Sequence, residues 1–251
     1  MNDTSGTRPA RPHQRLTDDG RRMREVLTYA RRGSRFTPTQ AAAWEAHHDR
    51  WVIPEEALDD PDFAWATWFG REAPLVVEIG SGIGESTAAL AAARPSYDVL
   101  ALEVWRPGIA DGLGRVAEAG VTNVRFCSID AVWSMEHLVA EGSLAGLWTF
   151  FPDPWPKKRH HKRRLVTAGF AHLAATRLAP GATWRLATDW ADYAEQMRDV
   201  LDAEPLMSGG VTARWDERPV TRFERKGLSA GREITDLAYT RRKDGFSPPG
   251  S

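Results

Sequence analysis

Residues 75–84 read LVVEIGSGIG, a short run rich in β-branched side chains that leads into a glycine-rich turn. A strand followed by such a turn is typical of α/β proteins, in which glycines let the backbone approach a bound ligand closely. The dinucleotide fingerprint G-x-G-x-x-G would require glycine at position 85, where the sequence has Glu85. A carboxylate there opposes a pyrophosphate and favours a cationic ligand without phosphates, such as S-adenosylmethionine. A tight turn that binds nothing is the alternative.

Strand and helix patterns alternate along the chain from residue 75, and one predicted helix precedes them. A helix is predicted over 39–51, with Thr37 as its cap and Pro38 at its first position. The further predicted helices cover 86–93, 107–119, a segment ending at 138, 165–178 and 193–201. The predicted strands cover 75–79, 98–103, 123–127, 144–151, 182–188 and 237–241. This alternation predicts an α/β fold with a parallel sheet and helices on both faces, whose ligands bind beyond the carboxyl ends of the strands.

Composition limits the class of protein. The 251 residues include 33 Lys and Arg, 34 Asp and Glu and 42% hydrophobic residues, which excludes a wholly disordered or fibrous chain. Cys127 is the only cysteine, which excludes an internal disulfide and a cysteine-cluster metal site. No run of about 18 apolar residues exists, and no apolar stretch follows the first arginines, so neither a membrane span nor a secretory signal is expected. We therefore predict a cytoplasmic protein.

The ends of the chain differ from its centre in composition. Residues 1–20 mix Arg, Pro, Thr, Asp and Gly without apolar periodicity, and residues 245–251 are similarly polar. We expect a disordered arm over 1–20, a single domain over 21–244 and a flexible tail over 245–251. Within the domain, residues from about 21 to 70 are expected to form a helical extension.

Charge is strongly segregated although the formal net charge is −1. Residues 1–36 carry nine basic and four acidic groups, whereas residues 37–156 carry six basic and 18 acidic groups. Residues 157–164 then carry six basic groups and none acidic. Basic islands of this kind suggest a surface that meets a polyanion. An ordinary solvated surface is the alternative.

Carboxylates follow three of the predicted strands. Glu103 ends the second strand, where a carboxylate can accept hydrogen bonds from both ribose hydroxyls of a nucleoside. Asp130 follows the third strand and could accept from an adenine amino group. Asp189 follows the fifth strand at the same expected edge. The alternative for Glu103 is plain surface, and for both aspartates it is a helix N-cap.

Residues 150–164, FFPDPWPKKRHHKRR, are the most specific stretch. Three prolines stiffen the turn around Asp153, and Trp155 offers a flat face to a base. The cationic run that follows can neutralise phosphates. We interpret the stretch as a nucleotide-base site with a phosphate clamp, and a purely structural turn is the alternative. His160 and His161 are adjacent and cannot face one metal from one side of a helix, so no metal site is predicted.

Residues 218–227 join a hydroxyl, an acid, an aromatic ring and several bases, and their composition predicts a loop. The chain has no Ser–His–Asp set, no nucleophile elbow and no G-x-x-x-x-G-K-S/T run. Hydrolase chemistry therefore has little support.

These segments together resemble the bacterial tRNA (guanine-N7)-methyltransferase family. The resemblance runs from about Leu27 to Arg242 and is strongest in 152–164, then in 218–227 and 77–84. It implies a Rossmann-like, S-adenosyl-L-methionine-dependent fold with a mostly parallel seven-stranded sheet and an antiparallel last strand. It also implies methyl transfer to N7 of a guanine in tRNA, in the variable loop. We expect tRNA as the partner and a monomer or homodimer with no obligate protein partner.

The resemblance also implies residue roles. The cofactor-binding positions are Glu78, Gly80, Gly82, Glu103, Asp130 and Asp153, of which Asp153 is also catalytic. The substrate-binding positions are Lys157, Asp189, Thr221, Arg222, Phe223 and Glu224, with Arg222 where some members have lysine. The RNA-contacting positions are Arg159, His160, His161, Lys162, Arg163 and Arg164.

Other functions remain open at this stage. A methyltransferase for another base atom, such as an exocyclic amine, favours two prolines after the polar residue, whereas Asp153 is followed by Pro154 and Trp155. A non-catalytic RNA-binding protein that kept the fold is a second alternative. Glu85 argues against a dehydrogenase.

Overall fold

A computed structural model describes residues 9–12, 27–29 and 33–243 of the chain. Of the arm expected over 1–20, only residues 9–12 are described, and the tail expected over 245–251 lies outside the described residues. The division into arm, domain and tail therefore stays a prediction.

The described residues form one sheet of eight strands in the order β1-β4-β3-β2-β5-β6-β8-β7. The strands are β1 (Val52–Ile53), β2 (Leu75–Ile79), β3 (Asp98–Leu102), β4 (Val124–Cys127), β5 (Leu144–Phe150), β6 (Leu178–Thr188), β7 (Met207–Thr212) and β8 (Thr235–Arg241). β8 is antiparallel to both of its neighbours, and every other pair of neighbours is parallel. The mostly parallel sheet with an antiparallel last strand is thus confirmed. The eighth strand is β1, whose two residues are too few to produce a recognisable period.

Ten helical segments surround this sheet in the described part of the chain. The α-helices are α1 (Pro38–Trp51), α2 (Trp65–Phe69), α3 (Glu85–Ala93), α4 (Arg106–Glu118), α5 (Ala131–His137), α6 (Ala168–Arg177), α7 (Ala191–Asp202) and α8 (Arg222–Ser229). Two 3-10 helices cover Glu55–Asp59 and Lys158–Arg163. No helix among the described residues is long and apolar enough to span a bilayer.

Local capping explains where two of these helices begin. Thr37 accepts from the backbone N–H of Gln40, and the Gln40 side chain accepts from that of Thr37, so α1 begins at Pro38 as predicted. The loop predicted over 218–227 is wrong in its second half, where α8 begins at Arg222. Thr221 is the N-cap and accepts from the backbone N–H of Glu224.

Alternate residues of the parallel strands pack on opposite faces of the sheet. Val77 and Leu147 join a core with α5, α6 and α7, whereas Val76 and Trp148 join a second core with α3 and α4. Both faces are therefore buried, which suits a parallel sheet. Because β2 to β6 are all parallel, their carboxyl ends lie along one edge of the sheet.

Candidate active site

The glycine-rich turn follows β2 at this carboxyl edge. Gly80 has φ +74° and Gly84 has φ +76°, a region in which side chains are strained. A Cβ on Gly84 would lie 2.6 Å from the Cα of Gly112, so only glycine lets α3 and α4 pack this closely. A Cβ on Gly80 would meet nothing within 4 Å. The turn is thus tightly packed against α4 at Gly84 and open at Gly80.

A cavity of about 110 Å³ lies beside the open side of the turn. The ends of β2, β3 and β5 line it, together with the start of α8 and the segment 28–29. Five of the predicted site residues are among its walls: Gly80, Gly82, Glu103, Asp153 and Phe223. The fold therefore brings together residues that lie up to 143 positions apart (223 − 80) in the sequence.

Glu103 ties the glycine-rich turn to the segment after β3. Its Oε2 accepts from the backbone N–H of Gly82 at 2.8 Å, and its Oε1 accepts from that of Trp105 at 2.8 Å. Both carboxylate oxygens thus hold backbone N–H groups at the wall of the cavity. A contact between Glu103 and a ribose stays a prediction.

Glu78 lies below the turn, with only 2% of its surface exposed. The hydroxyl of Thr87 donates to its Oε2 at 2.5 Å. Burial raises the pKa of Glu78 to about 7, and the nearby charge of Glu103 adds to this effect. Glu78 does not line the cavity, although its neighbour Ile79 does, so a cofactor contact of Glu78 stays a prediction.

Asp153 reaches the cavity from a strained turn after β5. Phe151 has φ +53° and Trp155 has φ +46°, which is unusual for bulky residues. The backbone N–H of Phe151 donates to the carbonyl of Ala187 at 2.7 Å, which fixes the start of the turn to β6. Strain of this kind is tolerated where the surrounding structure holds it, and it often marks a functional site. Asp153 thus lines the cavity on a rigid support.

Asp130 acts as a helix cap in this structure. Its Oδ1 accepts from the backbone N–H of Trp133 at 2.9 Å at the start of α5. Its neighbours Ile129 and Ala131 line the cavity, whereas Asp130 does not. The capping interpretation is therefore confirmed, and a cofactor contact stays a prediction.

Asp189 and Glu224 are held by arginines away from the cavity walls. Asp189 pairs with Arg232 at 2.7 Å, and it is not the cap of α7, which begins after Trp190. Glu224 is 3% exposed and accepts from Arg214 at 2.8 Å and from Arg218 at 2.6 Å. Burial alone would raise the pKa of Glu224, but the hydrogen bonds and charges of these arginines outweigh it and lower the pKa. Both carboxylates therefore serve as anchors in this structure.

The remaining predicted substrate residues take different positions. Thr221 caps α8, and Phe223 in its first turn lines the cavity. The backbone N–H of Arg222 donates to Glu85 at 2.6 Å. Lys157 is exposed at the start of the 3-10 helix Lys158–Arg163, outside the cavity.

The basic run does not present a uniform surface. Arg159 and Lys162 are exposed, and His160 and His161 are partly exposed. The guanidinium of Arg163 stacks on Trp155 at 3.6 Å and donates to the carbonyl of Leu27 at 3.0 Å. These five positions remain compatible with a role at an RNA surface.

Arg164 differs from the rest of the run because it is 2% exposed. It donates to the carbonyl of Pro154, to Gln196 and to Asp192, each at 2.8 Å. This burial does not fit the predicted RNA contact. Arg164 instead holds the proline-rich turn against α7.

Sequence reasoning assigned no role to the segment 27–29. Thr28 and Tyr29 line the cavity, and the indole N–H of Trp155 donates to the carbonyl of Thr28 at 3.1 Å. The residues joined by this bond are 127 positions apart, so no local pattern could reveal the contact. Among the described residues, no group of three or more His, Cys, Asp and Glu could hold a metal ion.

Comparisons with known proteins match most of the chain. A family model described as "Putative methyltransferase" matches residues 72–237. A protein of Nocardioides sp. named tRNA (guanine-N(7)-)-methyltransferase is 72% identical, over 94% of this chain and 96% of that protein. Proteins of the same name from Cutibacterium acnes and Verminephrobacter eiseniae are 45% and 43% identical, over 87% and 94% of this chain and 84% and 90% of their own lengths. A solved structure of an antibiotic-related methyltransferase covers 76% of this chain and 100% of its own, with 13% identity and a TM-score of 0.49.

Proposed function

The chain belongs to the family of bacterial tRNA (guanine-N(7)-)-methyltransferases, and we propose that it transfers a methyl group from S-adenosyl-L-methionine to N7 of a guanine in tRNA. The observation that carries this proposal is the single cavity that joins the glycine-rich turn, Glu103, Asp153 and Phe223. The relatives supply the identity of the acceptor, and the family resemblance places the guanine in the variable loop. We also propose a cytoplasmic location and a monomer or homodimer.

The walls of the cavity fit S-adenosyl-L-methionine. Gly80 leaves its outer side open, so a ligand can approach the backbone of the turn without meeting a side chain. Glu103 supplies acceptors for ribose hydroxyls at the end of β3. Asp153 adds a second carboxylate to the cavity walls, which favours a cationic ligand electrostatically. When bound, S-adenosyl-L-methionine would supply its sulfonium methyl group to guanine N7 by in-line displacement, with S-adenosylhomocysteine as the leaving group.

Guanine N7 carries a lone pair and no proton, so the protein needs no general base. The work left to the side chains is to orient the purine and to favour the positive charge that it gains. Asp153 is suited to both tasks, because the flanking prolines and the strained Phe151 and Trp155 hold it at the cavity. Phe223 adds an aromatic ring to the cavity walls. We assign Asp189 and Glu224 to holding α8, since their ion pairs with arginines would have to open before either could contact guanine.

The exposed cations beside Asp153 form the proposed RNA surface. Lys157, Arg159 and Lys162 are exposed within a few residues of the turn that carries Asp153. Cations at this distance can hold the phosphates that flank the target nucleotide while its base enters the cavity. An acidic cavity beside exposed cations suits a cationic cofactor and an anionic RNA in adjacent places.

The test is to incubate the protein with methyl-labelled S-adenosyl-L-methionine and an unmodified tRNA transcript. Nuclease digestion and mass spectrometry should then find 7-methylguanosine, which an Asp153→Asn control variant should form about 100-fold more slowly. Label on another atom would support a different base methyltransferase. No label, together with no heat of binding for S-adenosyl-L-methionine in calorimetry, would support a non-catalytic RNA-binding protein.

A further inference from the structure

The start of α8 contacts the glycine-rich turn through Glu85. Its Oε2 accepts from the backbone N–H of Arg222 at 2.6 Å, and its Oε1 accepts from Nη2 of Arg225 at 2.8 Å. Glu85 is the first residue of α3, so one carboxylate joins α3 to the start of α8. We name this contact, formed by Glu85, Arg222 and Arg225, the α3–α8 latch.

A second contact lies beside the latch. A Cβ on Gly82 would lie 3.7 Å from Cε2 of Phe223, so the phenyl ring sits on the turn next to the cavity. Phe223 lies one residue after Arg222, whose N–H the latch holds. The position of the latch therefore determines where the Phe223 ring lies over the turn.

The carboxylate of Glu85 is suited to this task. The first N–H groups of a helix have no partner within the helix, and a negative charge stabilises that end. Glu85 satisfies this requirement at the start of α8 with a charge-assisted hydrogen bond. The Glu85 side chain is 21% exposed and Arg225 is 55% exposed, so the ion pair alone is weak and the bond to the backbone matters more.

α8 is also held independently of the latch. Arg218 pairs with Glu224 at 2.6 Å and with Asp236 at 2.9 Å, which fixes α8 to β8. Removing the Glu85 carboxylate should therefore loosen the start of α8 over the cavity while the helix itself stays folded. A group of this kind can change how two ligands influence one another without changing the fold.

We propose that Glu85 is a positioning residue that couples cofactor binding to tRNA binding. The inference rests on the proposed function, in which the turn contacts the cofactor and α8 contacts the substrate. A cofactor that orders the turn also orders the latched start of α8, so tRNA meets a substrate segment already in place. By linkage, tRNA must strengthen cofactor binding by the same factor.

The test compares tRNA affinity with and without the cofactor product. Fluorescence polarisation of a labelled tRNA would be measured in the absence and in the presence of saturating S-adenosylhomocysteine. The wild-type protein should bind tRNA at least about fivefold more tightly with the product, as is typical of coupled sites. In Glu85→Ala this ratio should fall below about twofold, because the latch is lost.

Other variants separate the latch from a general effect on folding. Glu85→Gln keeps an acceptor for the Arg222 N–H but loses the charge, so its ratio should lie between those of wild type and Glu85→Ala. Arg225→Ala should lower the ratio less than Glu85→Ala. Glu118→Ala is the matched control, since Glu118 is exposed at the end of α4. Thermal melting of each variant should stay close to that of wild type.

Several results would overturn the inference. An unchanged ratio in Glu85→Ala, a ratio near one in wild type, or an equal fall in Glu118→Ala would each contradict it. If wild type forms 7-methylguanosine and yet shows no coupling, only the latch proposal fails. If wild type forms none, the proposed function itself fails.

Discussion

Replacing Arg218 with methionine would remove a positive charge from a side chain with 0% exposure. The guanidinium donates to Glu224 at 2.6 Å and to Asp236 at 2.9 and 3.2 Å. Methionine replaces the unbranched aliphatic part of the arginine side chain and has no donor. Both carboxylates, which are 3% and 8% exposed, would then remain buried with fewer partners.

The magnitude follows from what the two carboxylates retain. Removing one partner of a buried ion pair costs about 3–5 kcal/mol, because the remaining charge is left uncompensated. Glu224 keeps Arg214, which donates to it at 2.8 Å, so the lower end of this range applies. We expect Arg218→Met to lower the free energy of unfolding by about 3 kcal/mol. For a domain of this size, such a loss lowers Tm by roughly 6–12 °C.

Urea unfolding followed by circular dichroism at neutral pH, with thermal melts in parallel, measures both quantities. Arg198→Met is the matched control, because Arg198 is 48% exposed and pairs with Asp199 at the surface. Such pairs contribute about 0.2–1 kcal/mol, so the control should change little. Adding Glu224→Gln and Asp236→Asn to Arg218→Met should recover part of the loss. A loss below about 1 kcal/mol for Arg218→Met, or one equal to that of the control, would refute the reasoning.

Three further predictions concern the site and its surroundings. Asp153→Asn should lower kcat about 100-fold with little change in the tRNA Kd, and an equal loss of both, measured by single-turnover kinetics and polarisation, would indicate a structural role. Arg159→Ala with Lys162→Ala should reduce the slope of log affinity for tRNA against log salt by roughly 1 to 2, whereas Arg164→Ala should lower Tm and leave that slope unchanged. Because burial raises the pKa of Glu78 from 4.5 to about 7, the native state keeps this proton where the unfolded chain has released it. The free energy of unfolding should fall as pH rises between these values, by on the order of 3 kcal/mol, and urea unfolding of Glu78→Gln across pH should show a flatter profile.

The parallel sheet could be predicted because its strands carry strong local patterns. LVVEI is a short apolar run rich in β-branched residues before a glycine-rich turn, and β2 has the predicted bounds. β6 begins at Leu178 instead of 182, because the pairing of Leu144 with Leu178 extends it beyond the apolar run. The last described strands are less regular, and the sequence MSGGVT of β7 alternates too weakly to be recognised.

The individual roles of charged residues could not be predicted in the same way. The run KKRHHKRR is uniformly basic in sequence. Arg164 is buried and Arg159 is exposed because their tertiary neighbours differ. The partner Asp192 lies 28 residues beyond Arg164 and reaches it only once α7 has packed. Glu224 lies in a segment for which substrate binding is predicted. In the folded chain, however, its carboxylate accepts a hydrogen bond from Arg218, six residues earlier. The role of a charged residue depends on the residues that it contacts, and the fold determines those contacts.

This assignment of partners also explains how an acidic site and a polyanionic substrate can coexist. Arginines neutralise the carboxylates of Asp189 and Glu224, which lie away from the cavity walls. The acidic side chains that line the cavity are Glu103 and Asp153. A cationic cofactor is favoured inside this small acidic volume. Salt screens the electric field of the two carboxylates within about 10 Å at moderate ionic strength. The exposed cations that follow Asp153 lie outside the cavity, where we propose that they contact phosphates. The proline-rich turn lies between the two regions. The carboxylates that attract the cofactor therefore need not repel the RNA.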